Sequence, residues 1–238
     1  MAMLKKIVQG LPYLLSHPRQ LKHLIIRETL FRQRWRNKQK WVEWQKYTSS
    51  KHIYMLREHP DALSTSILNV KRIQIFSNIF SRLGNGLKVL DVGAGDGVIS
   101  EPIGKMGNEV ISIELPMIAV IAHRCGVSTV VAGDAEHLAF ISKSFDVVIA
   151  SEVLEHLWNP QNFFDEADRV LKAGGYLIIE TPEGKGSLLY DDHKNYFTVE
   201  RLKQLLGARF TLREVERLEA TGCAQTPTII VLLRKLAS

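Results

Sequence analysis

Three carboxylates, three closely spaced glycines and two histidines carry the chemistry legible in this 238-residue chain. The stretch "VLDVGAGDGVIS", residues 89–100, sets Gly93, Gly95 and Gly97 directly behind an apolar run that ends in Asp91. Bare backbone of this kind lets the chain turn tightly and lets a ligand touch the main chain. The dinucleotide fingerprint G-x-G-x-x-G/A requires a small residue where Val98 stands, and no G-K-[ST] follows to make a phosphate-binding P-loop. A carboxylate at the mouth of the turn repels a pyrophosphate and attracts an ammonium group. Glu114 falls about 20 residues beyond the glycines, where a carboxylate can accept from both hydroxyls of a ribose. Asp134, in "AGDAEHLAF", stands where a third acid could accept from an adenine amino group. Any one of these acids alone reads as a helix cap or loop residue. Three of them at consecutive strand ends point to a ligand.

A ligand that joins an ammonium group, a ribose and an adenine is S-adenosylmethionine, whose sulfonium adds a second positive charge. Methyl transfer from a sulfonium is an in-line displacement on an activated carbon, so an enzyme mainly supplies proximity and alignment, worth ~7–11 kcal/mol. A base is needed only for a poor nucleophile such as a hydroxyl. His156, in "LEHLWNP", and His193, in "DDHKNYF", are the candidate catalytic bases. His156 reads equally as a capping or packing histidine. His193 reads otherwise as a positioning group, with Asp191, Asp192 and Tyr196 beside it to orient it. Cys125 and Cys223 match no metal-ligand spacing and read as reduced, buried thiols of a cytoplasmic protein, so no metal site is expected.

These residues need a scaffold that brings strand ends together. From about residue 88 the chain alternates strand and helix: "LKVLDVG", "NEVISIEL", "VSTVVAGD", "FDVVIAS" and "YLIIETP" read as strands. Between them, "GVISEPIGKMG", "PMIAVIAHRCG" and "NPQNFFDEADRVLKAGG" carry helix start and stop signals. Such alternation predicts an α/β fold with a parallel sheet and helices on both faces, its ligand crevice beyond the carboxyl ends of the strands. After the helix "TVERLKQLLGA", the strands "FTLREVERL" and "TIIVLLRK" predict a closing antiparallel hairpin. "SILNVKRIQIFSNIFSRLG" predicts a helix packed beside the first strand. The first 60 residues read as a basic, helical N-terminal extension and residues 61–238 as the catalytic domain.

The pieces "VLDVGAGDG", "VISIEL", "GDAEHLAF", "FDVVIASEVLEHLWNP" and "LKAGGYLIIETP" stand in the order and spacing of the class I S-adenosylmethionine-dependent methyltransferases. Residues 88–182 resemble most the branch that includes the ubiquinone and menaquinone biosynthesis methyltransferases. "HKNYFTVERLKQLL" extends the likeness, with its His and its Phe-Thr before a late helix. The resemblance implies a Rossmann-like, seven-stranded sheet. It also implies that Asp91, Gly93, Gly95 and Gly97 hold the methionine part of the cofactor, Glu114 the ribose, and Asp134 with Ala135 the adenine, with Leu115 a further cofactor-binding residue. Ser151 would lie beside the cofactor at the end of the fourth strand. Ala139 and Ala173 stand at turn positions where relatives carry proline, which weakens the subfamily assignment and leaves the cofactor assignment intact.

Charge divides the chain unevenly. Residues 1–46 hold 11 Lys or Arg against Glu28 and Glu43, a net +9, so the remainder carries −3 of the total +6. Between residues 19 and 46 aromatic and aliphatic residues interleave with the basic ones. This pattern fits a helical lid, a membrane-surface helix suited to a lipid-linked or glycan acceptor, or, with no recognisable module to support it, a nucleic-acid surface. At 45% hydrophobic and 24% charged, with no secretory signal or spanning segment legible, the chain reads as cytoplasmic, with possible peripheral contact at the inner membrane face. The expected function is transfer of a methyl group to a small-molecule, lipid-linked or sugar acceptor at oxygen. The alternatives are a non-catalytic binding or assembly protein on the same fold and, opposed by Val98 and Asp91, an NAD-dependent oxidoreductase.

Overall fold

The computed structural model describes residues 37–58, 67–124, 126–190, 192–219 and 226–236. Cys125, Cys223, Asp191 and most of the basic segment 19–46 lie outside them. The chain forms two units, Met1–Tyr47 and Thr48–Ser238. In the first, the described part of the basic segment enters helix α1 (Lys38–Glu58). Asn37 starts it as a cap, its Oδ1 accepting the Lys40 N–H at 3.0 Å. Trp41 and Trp44 are buried, and Trp44 stacks on Tyr47 with ring centroids 5.7 Å apart.

The second unit holds α2 (Ile67–Leu83), β1 (Lys88–Val92), α3 (Ser100–Lys105), β2 (Glu109–Glu114), α4 (Pro116–Arg124), β3 (Val130–Ala132) and β4 (Phe145–Ser151). There follow α5 (Pro160–Val170), β5 (Leu171–Pro182), α6 (Val199–Leu206), β6 (Phe210–Leu218) and β7 (Thr228–Lys235). The seven strands form one sheet in the order β3-β2-β1-β4-β5-β7-β6. All pairs are parallel except β5–β7 and β7–β6, which are antiparallel. The expected mostly parallel sheet with a closing antiparallel hairpin is the fold observed. Strand order reverses direction between β1 and β4, which opens a crevice at their carboxyl ends.

The central strands read as continuous apolar runs because both their faces are covered. Leu90, Val148, Ala150, Leu177, Ile179 and Val231 join one buried cluster with Phe163 and Phe164 of α5. Their strand neighbours Val89, Val147, Ile149, Ile178 and Ile230 join the other, with Phe76, Ile79 and Phe80 of α2. Each such Val, Leu, Ile or Phe side chain contributes ~1.5–3 kcal/mol by leaving water. At the edge, β6 carries Arg213, Glu216 and Arg217 exposed, charges that discourage pairing with another chain.

Two boundaries differ from the sequence expectation. The helix expected at 97–107 is confined to Ser100–Lys105, because Gly97, at φ +82°, keeps the preceding residues in a turn. The stretch 171–175, expected to close a helix, belongs to β5. Its Leu171 pairs with Phe145, and a register shift between Phe145 and Val147 absorbs the intervening residues. Other helix starts match their signals: Asn159 accepts the Gln161 N–H at 3.2 Å ahead of Pro160, and Thr198 accepts the Arg201 N–H at 3.2 Å.

Candidate functional site

Asp91 occupies a position in β1 that its neighbours fill with core side chains, and it is 1% exposed. Ser100 donates a short hydrogen bond to its Oδ2, while Oδ1 has no hydrogen-bond partner. Burial pushes its carboxyl up to about 6, against the pull of Ser100 and of Arg72 nearby. A buried carboxylate oxygen left unpaired is costly, and a cationic ligand removes that cost. The glycine turn follows at once. A Cβ at Gly93 would fall 2.3 Å from Val153 Cγ2, and Gly93 has φ +74°, so only glycine fits. Gly95, at φ +58°, has open space where a Cβ would point.

Glu114, at the end of β2, clasps this turn. Its Oε1 accepts the Gly95 N–H at 2.8 Å and its Oε2 the Leu115 N–H at 3.2 Å, and burial raises its carboxyl to about 7. Asp134 follows β3, and its Oδ1 accepts the Glu136 N–H at 2.9 Å, closing a turn that also holds Ala135. Ser151, at the carboxyl end of β4, donates to Glu180 Oε2 at 2.5 Å and accepts from Arg72 Nη2 at 2.8 Å. Thus Asp91, the glycines, Glu114, Leu115, Asp134 and Ser151 all lie at or just beyond strand ends of one sheet edge.

Several residues here were not singled out from the sequence. Arg72 of α2 reaches Glu180 of β5 with Nε at 2.6 Å and Nη2 at 3.0 Å, and Nη1 donates to Asn69 Oδ1 at 2.9 Å. Glu152 has φ +55°, a strained conformation for a residue with a side chain, and its Oε1 is buried without a hydrogen-bond partner. Its carboxyl is pushed well above the ordinary range by burial and by Glu155 and Glu180. Glu155 is fully buried; its Oε2 accepts from Thr181 Oγ1 at 3.0 Å, its Oε1 has no hydrogen-bond partner, and burial raises it to about 8. Glu152 and Glu155 were visible in "SEVLEH" but only their burial marks them. Arg72 lies far from any motif, and only the fold brings it to the edge.

The two histidines, 37 positions apart, meet edge to face with ring centroids 4.8 Å apart. His156 ends a 3₁₀ turn, Leu154–His156, and its Nδ1 lies 2.6 Å from the Asp192 carbonyl, which can only accept. Its Nε2 lies 3.9 Å from Glu155 Oε1. His193 is 9% exposed, and burial lowers its ring to about 4, so it is neutral across the physiological range. Asp192 Oδ1 lies 3.9 Å from His193 Nε2. Tyr196, expected beside His193, instead meets the cations of Lys185 and Arg201. Glu155, His156 and His193 offer one ligand atom each within 4.8 Å of one another, so the fold assembles a group able to hold a cation where the sequence suggested none. The chemistry of the donors, two imidazoles and a carboxylate, suits a divalent transition ion.

Residues 90–179 match the methyltransferase domain family. Over 102 residues the chain is 34% identical to the ubiquinone biosynthesis O-methyltransferase of Ruegeria sp. strain TM1040, a match covering 40% of this chain and 41% of that one. Over 107 residues it is 36% identical to the mitochondrial ubiquinone biosynthesis O-methyltransferase of Rattus norvegicus, covering 41% of this chain and 31% of that one. The matched segment thus spans less than half the length of these curated relatives. Among solved structures, the N-methyltransferase NodS of Bradyrhizobium japonicum WM9, in complex with S-adenosyl-L-homocysteine, superposes with TM-score 0.64 at 17% identity, covering 74% of this chain and 91% of that one. The [4+2]-cyclase SpnF superposes with TM-score 0.60 at 18% identity, over 71% of this chain and 81% of that one, so the fold by itself does not decide the reaction. The glycine turn, the unpaired buried acid and the family match converge on one stretch: residues 90–179 match the methyltransferase domain family, and the chain shares the fold of solved methyltransferase structures.

Proposed function

We propose that this chain moves the methyl group of S-adenosylmethionine to an oxygen of a small, lipid-linked or sugar acceptor. The observation that carries the reading is Asp91, a buried carboxylate with one unpaired oxygen at the entrance of the glycine turn. Asp91 would take the cofactor's ammonium, and the backbone of Gly93, Gly95 and Gly97 would line its methionine part. Glu114 with Leu115 would take the ribose, and Asp134 with Ala135 the adenine. Ser151 borders the same crevice, and Arg72 behind it supplies a positive field for the cofactor's carboxylate. Bound there, S-adenosylmethionine supplies an activated methyl carbon, which an acceptor oxygen takes by in-line displacement as the carbon–sulfur bond breaks.

His193, whose ring burial keeps neutral, would offer a lone pair beside this crevice, where an acceptor hydroxyl would hydrogen-bond, with His156 next to it. The hydroxyl proton passes to a lone pair of this cluster as the new carbon–oxygen bond forms. A ring lowered to about 4 is a weak proton acceptor, which favours a second reading of the same pocket. In it, Glu155, His156 and His193 would hold a divalent cation as ligands, and such an ion would supply Lewis acidity that lowers the pKa of the acceptor hydroxyl. Contact of the basic segment 19–46 with an anionic membrane surface, suited to a lipid-linked acceptor, belongs to the same proposal.

The test has two arms. S-adenosylmethionine and S-adenosylhomocysteine are expected to raise the melting temperature of the protein, while NAD leaves it unchanged. Stabilisation by NAD alone would overturn the reading, and response to none of the three would favour a binding protein on this fold. Labelled methyl transfer to soluble and membrane extracts, with and without a chelator, then identifies the acceptor fraction. Loss of label on chelation and its return with one divalent ion would select the cation reading over the base reading.

A further inference from the structure

His193 is held from behind by a residue that the mechanism has not used. Ser187 lies in a short 3₁₀ segment, Lys185–Leu189, and is completely buried. Its Oγ is 2.8 Å from His193 Nδ1 and 3.5 Å from the Asn195 carbonyl oxygen. A buried hydroxyl needs partners for its proton and its lone pairs. The Asn195 carbonyl can only accept, so the hydroxyl proton turns to it and an Oγ lone pair is left for Nδ1–H.

We propose that Ser187 is a positioning residue, which holds His193 in the Nδ1–H tautomer and leaves the ring's lone pair on Nε2, the nitrogen 3.9 Å from Asp192 Oδ1. The inference rests on the reading of this pocket as the acceptor site, and it applies whether Nε2 meets a hydroxyl or a cation. A histidine tautomer is set by the hydrogen bond its other nitrogen makes.

The seat of Ser187 is built to stay in place. The Glu183 N–H donates to the Pro227 carbonyl and the Gly184 N–H to the Phe197 carbonyl, each at 2.7 Å. Gly186 has no room for a side chain, since a Cβ there would fall 2.4 Å from Thr226 Cγ2. On the far side, Tyr190 packs on the His193 ring with centroids 4.8 Å apart. Asn195 completes the device: its side chain donates to the Leu157 carbonyl at 2.7 Å and the Leu154 carbonyl at 3.3 Å, and its N–H donates to the Glu155 carbonyl at 3.0 Å. The segment that orients His193 is thereby tied to the turn that carries Glu155 and His156.

The experiment uses the full chain labelled with ¹⁵N-histidine and long-range ¹H–¹⁵N correlation. In the unmodified protein His193 is expected to show a single tautomer protonated at Nδ1. Ser187→Ala is expected to give a mixed or Nε2–H tautomer, with affinity for S-adenosylhomocysteine unchanged. On the acceptor found by labelled transfer, Ser187→Ala should lower kcat roughly 10–100-fold, the span for residues that orient a functional histidine. On a His193→Ala background it should lower kcat no further. An unchanged tautomer in Ser187→Ala, or losses from the two substitutions that multiply, would overturn the proposal. If Ser187→Ala does not fold, Ser187→Cys, close in size and a weak acceptor, is measured in the same way. Unimpaired turnover in His193→Ala would instead refute the acceptor-site reading, while the tautomer measurement still decides whether Ser187 sets the ring.

Discussion

Asp91 shows how one side chain both costs stability and provides function. Its neighbours in β1 are core residues, yet it sits among them with an unpaired oxygen and a carboxyl pushed to about 6. In the ligand-free protein burial disfavours the carboxylate; a ligand ammonium favours it. Cofactor binding therefore releases protons on the acid side of neutrality, and affinity rises with pH through about 6 and, through Glu114, through about 7. Calorimetric titration of S-adenosylhomocysteine between pH 5 and 8, a range chosen about these values, should show that rise. Asp91→Asn should flatten its lower limb and weaken binding by roughly 1–3 kcal/mol. Affinity independent of pH, or untouched by the substitution, would remove Asp91 from the site. Asp91 was legible from the sequence because a charge directly before alternating glycines has few structural reasons to be there. Glu155 was not, since "LEH" offers no pattern and its function depends on burial.

At the scale of the element, the glycine turn is a strand end, a bend and a helix start acting together. Gly95 is in the left-handed region with empty space before it, and its N–H is held by Glu114 from the neighbouring strand. Gly95→Val would place a β-branched side chain at φ +58°, at a cost of about 1–3 kcal/mol, and would fill the approach to the main chain. The expected outcome is a folded protein of lowered melting temperature that shows no thermal shift with S-adenosylmethionine. A normal shift would mean the cofactor does not approach this turn. Strand and helix positions were readable because apolar runs, caps and glycine stops each have a local cause. The two boundaries that moved did so for tertiary reasons: Leu171 joins β5 because Phe145 is there to pair with it, and a register shift in the neighbouring strand is invisible in the sequence of either.

Across the whole second unit, one sheet edge gathers Asp91, Glu114, Glu152, Glu155 and Glu180, with Arg72 as a partly buried cation among them. Glu114 and Glu155 are raised to about 7 and 8, so the folded protein holds protons that the unfolded chain has released. Their contribution is fully present below the ordinary carboxylate range and is lost as pH rises through those values. His193, lowered to about 4, works the other way, but only below the ordinary histidine pKa of about 6.5. Between pH ~8 and ~6.5 the ligand-free protein should therefore grow more stable as it is acidified, measured as the midpoint of urea unfolding. Glu155→Gln, which keeps the shape and removes the charge, should raise stability at the upper end by about 0.5–2 kcal/mol and lower methyl transfer. A midpoint that falls on acidification, or a destabilised Glu155→Gln, would contradict this account of the cluster.

The sequence by itself determined the sheet, the glycine turn and three of the acids around it, because each of these arises from residues close together in the chain. Period-two and period-3.6 apolar patterns set the elements, and the right-handed crossovers of a parallel sheet put the strand ends on one side. Only the tertiary structure decided which distant groups share the pocket. His156 meets His193, Ser187 stands behind His193, Arg72 reaches Glu180 across 108 positions, and Glu155 is sealed from water. These relations depend on loop paths and on desolvation, both long-range properties of the packed chain, and no local spacing encodes them.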